Sequence, residues 1–107
     1  MTLVFGALAQ AMPSATTLEA AYACPADKRA TVQVVACNRG VNTTVRLAHA
    51  PAAAADSDEP YLLYDYPLAA GETLVTAKLT LTETDVLRVY AVTGDVAFNV
   101  NGIEEDA

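Results

Sequence analysis

Tryptophan is absent from the 107-residue chain, histidine occurs once and cysteine twice. Nucleophilic catalysis built on an imidazole base therefore has only His49 to draw on. Two cysteines can supply neither the disulfide framework of a small secreted domain nor the four ligands of a structural zinc. Basic residues are also scarce: six Lys and Arg against thirteen Asp and Glu give a net charge of −7. A nucleic-acid binder needs a basic face that displaces counterions, and an anionic membrane surface selects for the same. No stretch approaches the ~20 apolar residues of a membrane-spanning helix. The apolar N-terminus lacks a basic leader and is broken by Gly6, so no secretory signal is expected. There is no Gly-x-Ser-x-Gly elbow, phosphate loop or dinucleotide fingerprint. Neither an enzyme nor a cofactor is expected.

What remains is a folded body. Hydrophobic residues make up 53% and charged residues only 18%, a balance that excludes disorder. The length fits one domain, which buries roughly two-thirds of its unfolded surface. Ala30–Cys37 is rich in β-branched residues and ends on the Asn38-Arg39-Gly40 turn. Asn42–His49 alternates, with Thr44, Arg46 and Ala48 on one face and Val45, Leu47 and His49 on the other. Tyr61–Tyr66 is bracketed by Pro60 and Pro67, and Thr73–Thr82 alternates Val75, Ala77, Leu79 and Leu81 with polar neighbours. Val86–Val92 and Val96–Asn101 flank Gly94-Asp95, a short-hairpin signal. Thr17–Cys24 is compatible with a helix or with an extended lead-in. Recurrent strands without helical segments predict an all-β fold, a single antiparallel β-sandwich of jelly-roll type. An extended N-terminal arm, residues 1–16, precedes the sandwich at 17–107.

Met1–Thr16 contains no charged residue. Such an arm either adds a strand to its own sheet or lies against another subunit. Leu3, Val4, Phe5, Leu8 and Met12 are its candidate partner-binding residues. Tyr61, Tyr64 and Tyr66 form a candidate glycan patch, with Asp65 expected opposite Tyr64 and Tyr66 by alternation. Asp56, Asp58 and Glu59 supply oxygen donors in an alanine-rich loop but lack the spacing of an EF-hand, so no metal is assigned. His49, at a strand end, reads as a surface side chain. Cys24 and Cys37 read as small buried side chains, with a single disulfide as the alternative. Glu104, Glu105 and Asp106 read as a solvated tail.

The stretch Tyr22–Gly40, a tyrosine, a Pro-containing turn and a β-branched strand closing on Cys37-Asn38-Arg39, resembles small virion proteins of tailed phages and prophages. The similarity continues through Thr44–Ala48, Tyr61–Asp65, Leu68–Leu74, Thr84–Tyr90 and Val96–Glu104. Departures are Cys24 where valine is commoner, Asp27 where the turn usually has glycine, and the alanine loop. The resemblance implies a non-enzymatic β-sandwich made in the host cytoplasm and carried in the virion. The first expectation is an oligomeric capsid decoration, or cement, that docks through its arm on the major capsid or tail protein. It is expected to be a homo-oligomer, with a trimer as the working choice. A tail, baseplate or fibre component is the alternative in the same class. A carbohydrate-binding module for host attachment is the alternative in another.

Overall fold

The computed structural model describes residues 3–55, 57 and 60–107. Nine strands follow one another: β1 Leu3–Ala11, β2 Glu19–Ala23, β3 Lys28–Asn38, β4 Thr43–Ala50, β5 Tyr61–Leu68, β6 Thr73–Val75, β7 Leu79–Leu81, β8 Val86–Ala91 and β9 Val96–Asp106. A 3-10 turn, Pro51–Ala53, follows β4. One sheet runs β1-β9-β3, with β6 and β7 both pairing along the far side of β3; the other runs β2-β8-β4-β5. With β6 and β7 taken as one interrupted strand, these are two four-stranded antiparallel sheets. Every connection except β4–β5 and β6–β7 crosses between them. That is the strand order of a jelly roll, the sandwich expected from the strand rhythm.

The core is made by period-2 alternation. Ala30, Val32, Val34 and Ala36 of β3 and Val96, Phe98 and Val100 of β9 face Val45 and Leu47 of β4 and Leu87, Val89 and Ala91 of β8. Alanines fill much of the interior, so close approach of backbones replaces side-chain bulk. Gly102 shows the limit: a Cβ there would lie 2.1 Å from the Thr31 carbonyl oxygen, so β9 and β3 pair at this point only because the side chain is missing. Asn38, fully buried, ties two turns together. Its amide donates to the carbonyls of Val41, Leu68 and Ala69, and its Oδ1 accepts from Gly40 N–H.

Several local expectations change. Residues 3–11 take the first of the two dispositions open to the arm: they are the edge strand of the β1-β9-β3 sheet. Thr17–Cys24 is extended, with Glu19–Ala23 paired to β8. Thr73–Thr82 is two short strands, not one. Val75 pairs with Val35 and Leu79 with Val32, a one-residue slip that turns Val75 outward while Leu81 stays buried. Gly94-Asp95 is not a hairpin, because β8 and β9 lie in opposite sheets and the turn crosses the sandwich. In β4 the register against β8 is unbroken, so Val45, Leu47 and His49 stand opposite Ala91, Val89 and Leu87 on one face as alternation expects, while Ala48 and Ala50, opposite Arg88 and Val86, are buried as well.

The acidic C-terminus is not a solvated tail either. Glu104, Glu105 and Asp106 belong to β9. Tyr22 Oη donates to Glu104 at 2.6 Å, Arg29 pairs with Glu105 at 3.0 Å, and Lys28 pairs with Asp106. Burial, and then the Glu104 carboxylate that accepts its proton, push the Tyr22 phenol far above its usual range. Cys24 and Cys37 are both free thiols, Cys24 buried and Cys37 half-buried, and burial pushes the Cys24 thiol up.

Candidate functional site: an uncharged edge and face

Three places bring chemistry-bearing residues together. The first is β1. Its register against β9 runs without a break from Leu3 to Ala7 and shifts before Ala9. Leu3, Val4 and Phe5 are exposed, Phe5 by 67%. Leu8, Ala9 and Ala11 are half-buried and pack on the core, and Met12 is exposed just beyond the strand. The candidate partner-binding set thus divides: Leu3, Val4, Phe5 and Met12 are exposed, Leu3 and Phe5 on the outer face with Ile103, and Val4 on the opposite face beside Glu104, while Leu8 helps close the sandwich.

The surface next to β1 continues its character. Phe5 lies beside Ile103 of β9, itself exposed, and Ile103 lies beside Thr31 of β3. Asn101, Gln33, Asn99 and Val35 alternate outward in the following rows. On β1, β9 and β3 the outward rows hold one charged pair, Arg29 with Glu105 at one end. This outer face is uncharged over most of its length in a chain whose net charge is −7.

The other sheet carries a different outer face. Arg46 stands opposite Tyr90 in the β4–β8 register. Its guanidinium lies 4.2 Å from the centre of the Tyr64 ring and 4.4 Å from that of Tyr90. Asp65 accepts from Arg46 Nε at 2.7 Å and raises the guanidinium's already high pKa further. Asp65 has φ 50, at a bulge where Tyr64 and Asp65 of β5 oppose the one residue Arg46 of β4. That bulge places Asp65 alongside Tyr64 in the Arg46 cluster rather than opposite it, which simple alternation could not foresee. Tyr61 meets Tyr64 edge-on at 5.1 Å. Tyr66 is exposed and stands opposite Val45 on β4. Of the candidate glycan patch, Tyr61 and Tyr64 come together and Tyr66 does not join them.

The third place is a clamp under the 3-10 turn. Asp85, 5% exposed, accepts from Ala52 N–H at 2.9 Å, His49 Nε2 at 2.9 Å, Thr82 N–H at 3.0 Å and Thr82 Oγ1 at 3.2 Å. Burial by itself raises the carboxyl's pKa. The Ala52 amide, His49 and the Thr82 donors outweigh that and lower it to about 2. An ionised carboxylate only accepts, so His49 Nε2 carries the proton. His49 is therefore a tethering residue and not the free surface side chain expected of it. Asp85 and Arg46 had no motif to mark them; only the strand pairing reveals their partners.

Among the described residues no group of three or more His, Cys, Asp or Glu is placed to hold a metal ion. Asp56, Asp58 and Glu59, the acidic residues of the alanine loop, lie outside the described residues. No known protein family, curated protein or solved structure matches the chain.

Proposed function

We propose that this chain is a structural component of a phage-like particle, a many-copy decoration of the capsid that docks through β1 and the uncharged face beside it. The observation that carries the reading is the exposed, chargeless stretch Leu3–Phe5 continuous with Ile103. Exposed apolar surface of this kind marks an interaction site in an otherwise charged protein. The jelly-roll order, an architecture found in viral capsid domains, supports the reading by analogy. So does the resemblance of Tyr22–Gly40 and its sequels to small virion proteins. Many copies make weak contacts sufficient, because avidity multiplies them. A tail, baseplate or fibre position is the variant of the same reading. Deleting the first residues is a poor test, since Ala9 and Ala11 of β1 pack on the core. The double substitution Leu3→Asp, Phe5→Asp changes exposed side chains only. It is expected to leave a folded protein that no longer cosediments with purified particles. Retained full occupancy overturns the docking surface. Absence of the wild-type chain from the particles overturns the reading.

A second reading rests on the Tyr61–Tyr64–Arg46–Asp65 cluster. Jelly rolls also serve as lectins, and an exposed tyrosine beside a carboxylate and a guanidinium offers a face for a sugar ring and partners for its hydroxyls. Titration with host-surface glycans monitored by isothermal calorimetry tests it: no binding by wild type, or the same binding by Tyr64→Ala, removes it.

A further inference from the structure

A two-sheet sandwich has four edge strands, and three of them here are blunted. The β5 edge carries Pro67, the charged Asp65 and two register breaks. The β6 and β7 edge is cut into two strands of three residues with Lys78 in the gap. The β2 strand has five residues, begins on Glu19 and is bulged before Tyr22. These are the devices that keep sheet edges from pairing with other chains. The β1 strand has nine residues and neither charge nor proline. Its N-terminal half, Leu3–Ala7, is exposed and keeps an unbroken register against β9, with Gly6 at φ 107.

We infer that the β1 edge pairs with the β1 edge of a second copy of this chain, antiparallel about a two-fold axis near Phe5. The inference deepens the reading above, resting on β1 as the interacting element and naming its occupant. Self-pairing sets each side chain against a copy of the same strand, so a charged strand would meet its own sign; Leu3–Ala7, centred on Phe5, contains no charge to repel. Neighbouring acids are kept apart too. With the axis at Phe5, Leu3 lies opposite the partner's Ala7. Leu3 has Glu105 on its other side, whereas Ala7 has Asn101, so no carboxylate row meets its own copy. A partner of opposite, basic charge would find nothing to answer on this strand.

The pairing is isologous and closes as a dimer. It joins the two β1-β9-β3 sheets into one, with the two Phe5–Ile103 clusters side by side on a single uncharged face. Particle docking then becomes bivalent. The backbone edge holds the copies together and the side-chain face meets the capsid.

The test uses the full chain in the absence of particles. Light scattering coupled to size exclusion is expected to give twice the 11.2 kDa chain mass. Phe5→Glu and Phe5→Lys, each at a site 67% exposed and therefore compatible with folding, are each expected to weaken self-association by more than about tenfold. An equimolar mixture of the two variants is expected to restore the dimer, because the axis sets Glu against Lys. Val75→Glu, exposed on the opposite edge, is expected to leave it intact. A monomeric wild type, a trimer, or a mixture that stays monomeric overturns the inference. These outcomes are independent of particle occupancy: a dimer absent from particles sinks the decoration reading alone.

Discussion

Asp85→Asn changes one oxygen for an amide nitrogen at a carboxylate that organises the region between β4, β7 and β8. The substituted side chain keeps one carbonyl, enough for Ala52 N–H. Its amide nitrogen then faces three donors: His49 Nε2, Thr82 N–H and Thr82 Oγ1. The histidine can exchange tautomers and the hydroxyl can rotate, but the Thr82 amide has no such freedom and loses its acceptor. A stranded amide costs about 1–3 kcal/mol. The lost charge adds to this. A carboxyl whose pKa falls from 3.8 to about 2 on folding contributes roughly 2 kcal/mol at neutral pH, and about 1–2 once solvent at the loop is counted. These two contributions overlap, since the donors are what lower the pKa, so the expected loss at pH 7 is about 2–3 kcal/mol. For a chain of this length that is a fall in Tm of about 10 °C.

The pH dependence has a definite sign. The folded pKa is depressed, so the stabilisation is complete above pH 4 and disappears as pH falls toward 2. Urea unfolding of wild type and Asp85→Asn, followed between pH 7 and pH 2, is expected to show a difference that narrows by about 1–2 kcal/mol below pH 4. The variant is also expected to exchange the Ala52 and Ala54 amides faster. Ala52 and Ala53 sit at φ 50 and φ 57, a left-handed backbone that costs alanine about 1–2 kcal/mol each and that Asp85 Oδ1 helps to hold. A difference below about 0.5 kcal/mol at pH 7, or one that does not change down to pH 2, refutes this account of the clamp.

Two further substitutions test the packing. Gly102→Ala drives a methyl group to within 2.1 Å of the Thr31 carbonyl oxygen and is expected to cost more than about 2 kcal/mol, read by thermal unfolding; an unchanged Tm refutes the close approach of β9 to β3. Asn38→Ala leaves the carbonyls of Leu68 and Ala69 and the Gly40 amide without their partner, and is expected to cost about 3 kcal/mol in urea unfolding and to raise amide exchange at Gly40.

The sandwich was legible because its inner strands follow the simplest rule available. In β3 and β9 the buried residues alternate without interruption through Ala30–Asn38 and Val96–Val100, and the β3 run ends on the Asn38-Arg39-Gly40 turn while β9 continues to Asp106. What escaped the sequence lies at the edges. Alternation is blind to a bulge, so Val75 and Asp65 were assigned to the wrong faces, and a two-residue turn signal cannot say whether its strands share a sheet. The clamp was illegible for a different reason. His49, Thr82 and Asp85 have no spacing that marks them, and Ala52 contributes only a backbone amide. The arm stands out in the sequence because absence of charge over sixteen residues is a signal that needs no knowledge of pairing, and the structure exposes Leu3, Val4, Phe5 and Met12 of it.

The net charge of −7 acquires a structural meaning once its members are located. Glu104, Glu105 and Asp106 are held by Tyr22, Arg29 and Lys28 along the outermost part of β9, so they lie beside β1 without extending onto its free edge. Two copies approaching by any other edge bring Asp65, Lys78 or Glu19 into the contact; approaching by β1 they bring none. The long-range repulsion between acidic bodies is screened within roughly 8 Å at physiological ionic strength, whereas a charge placed inside a strand pair is not. Repulsion of the whole body would therefore cost the proposed dimer little, while local charge closes the competing edges. On the proposed pairing, the uncharged strand selects its own copy because the other edges carry charge.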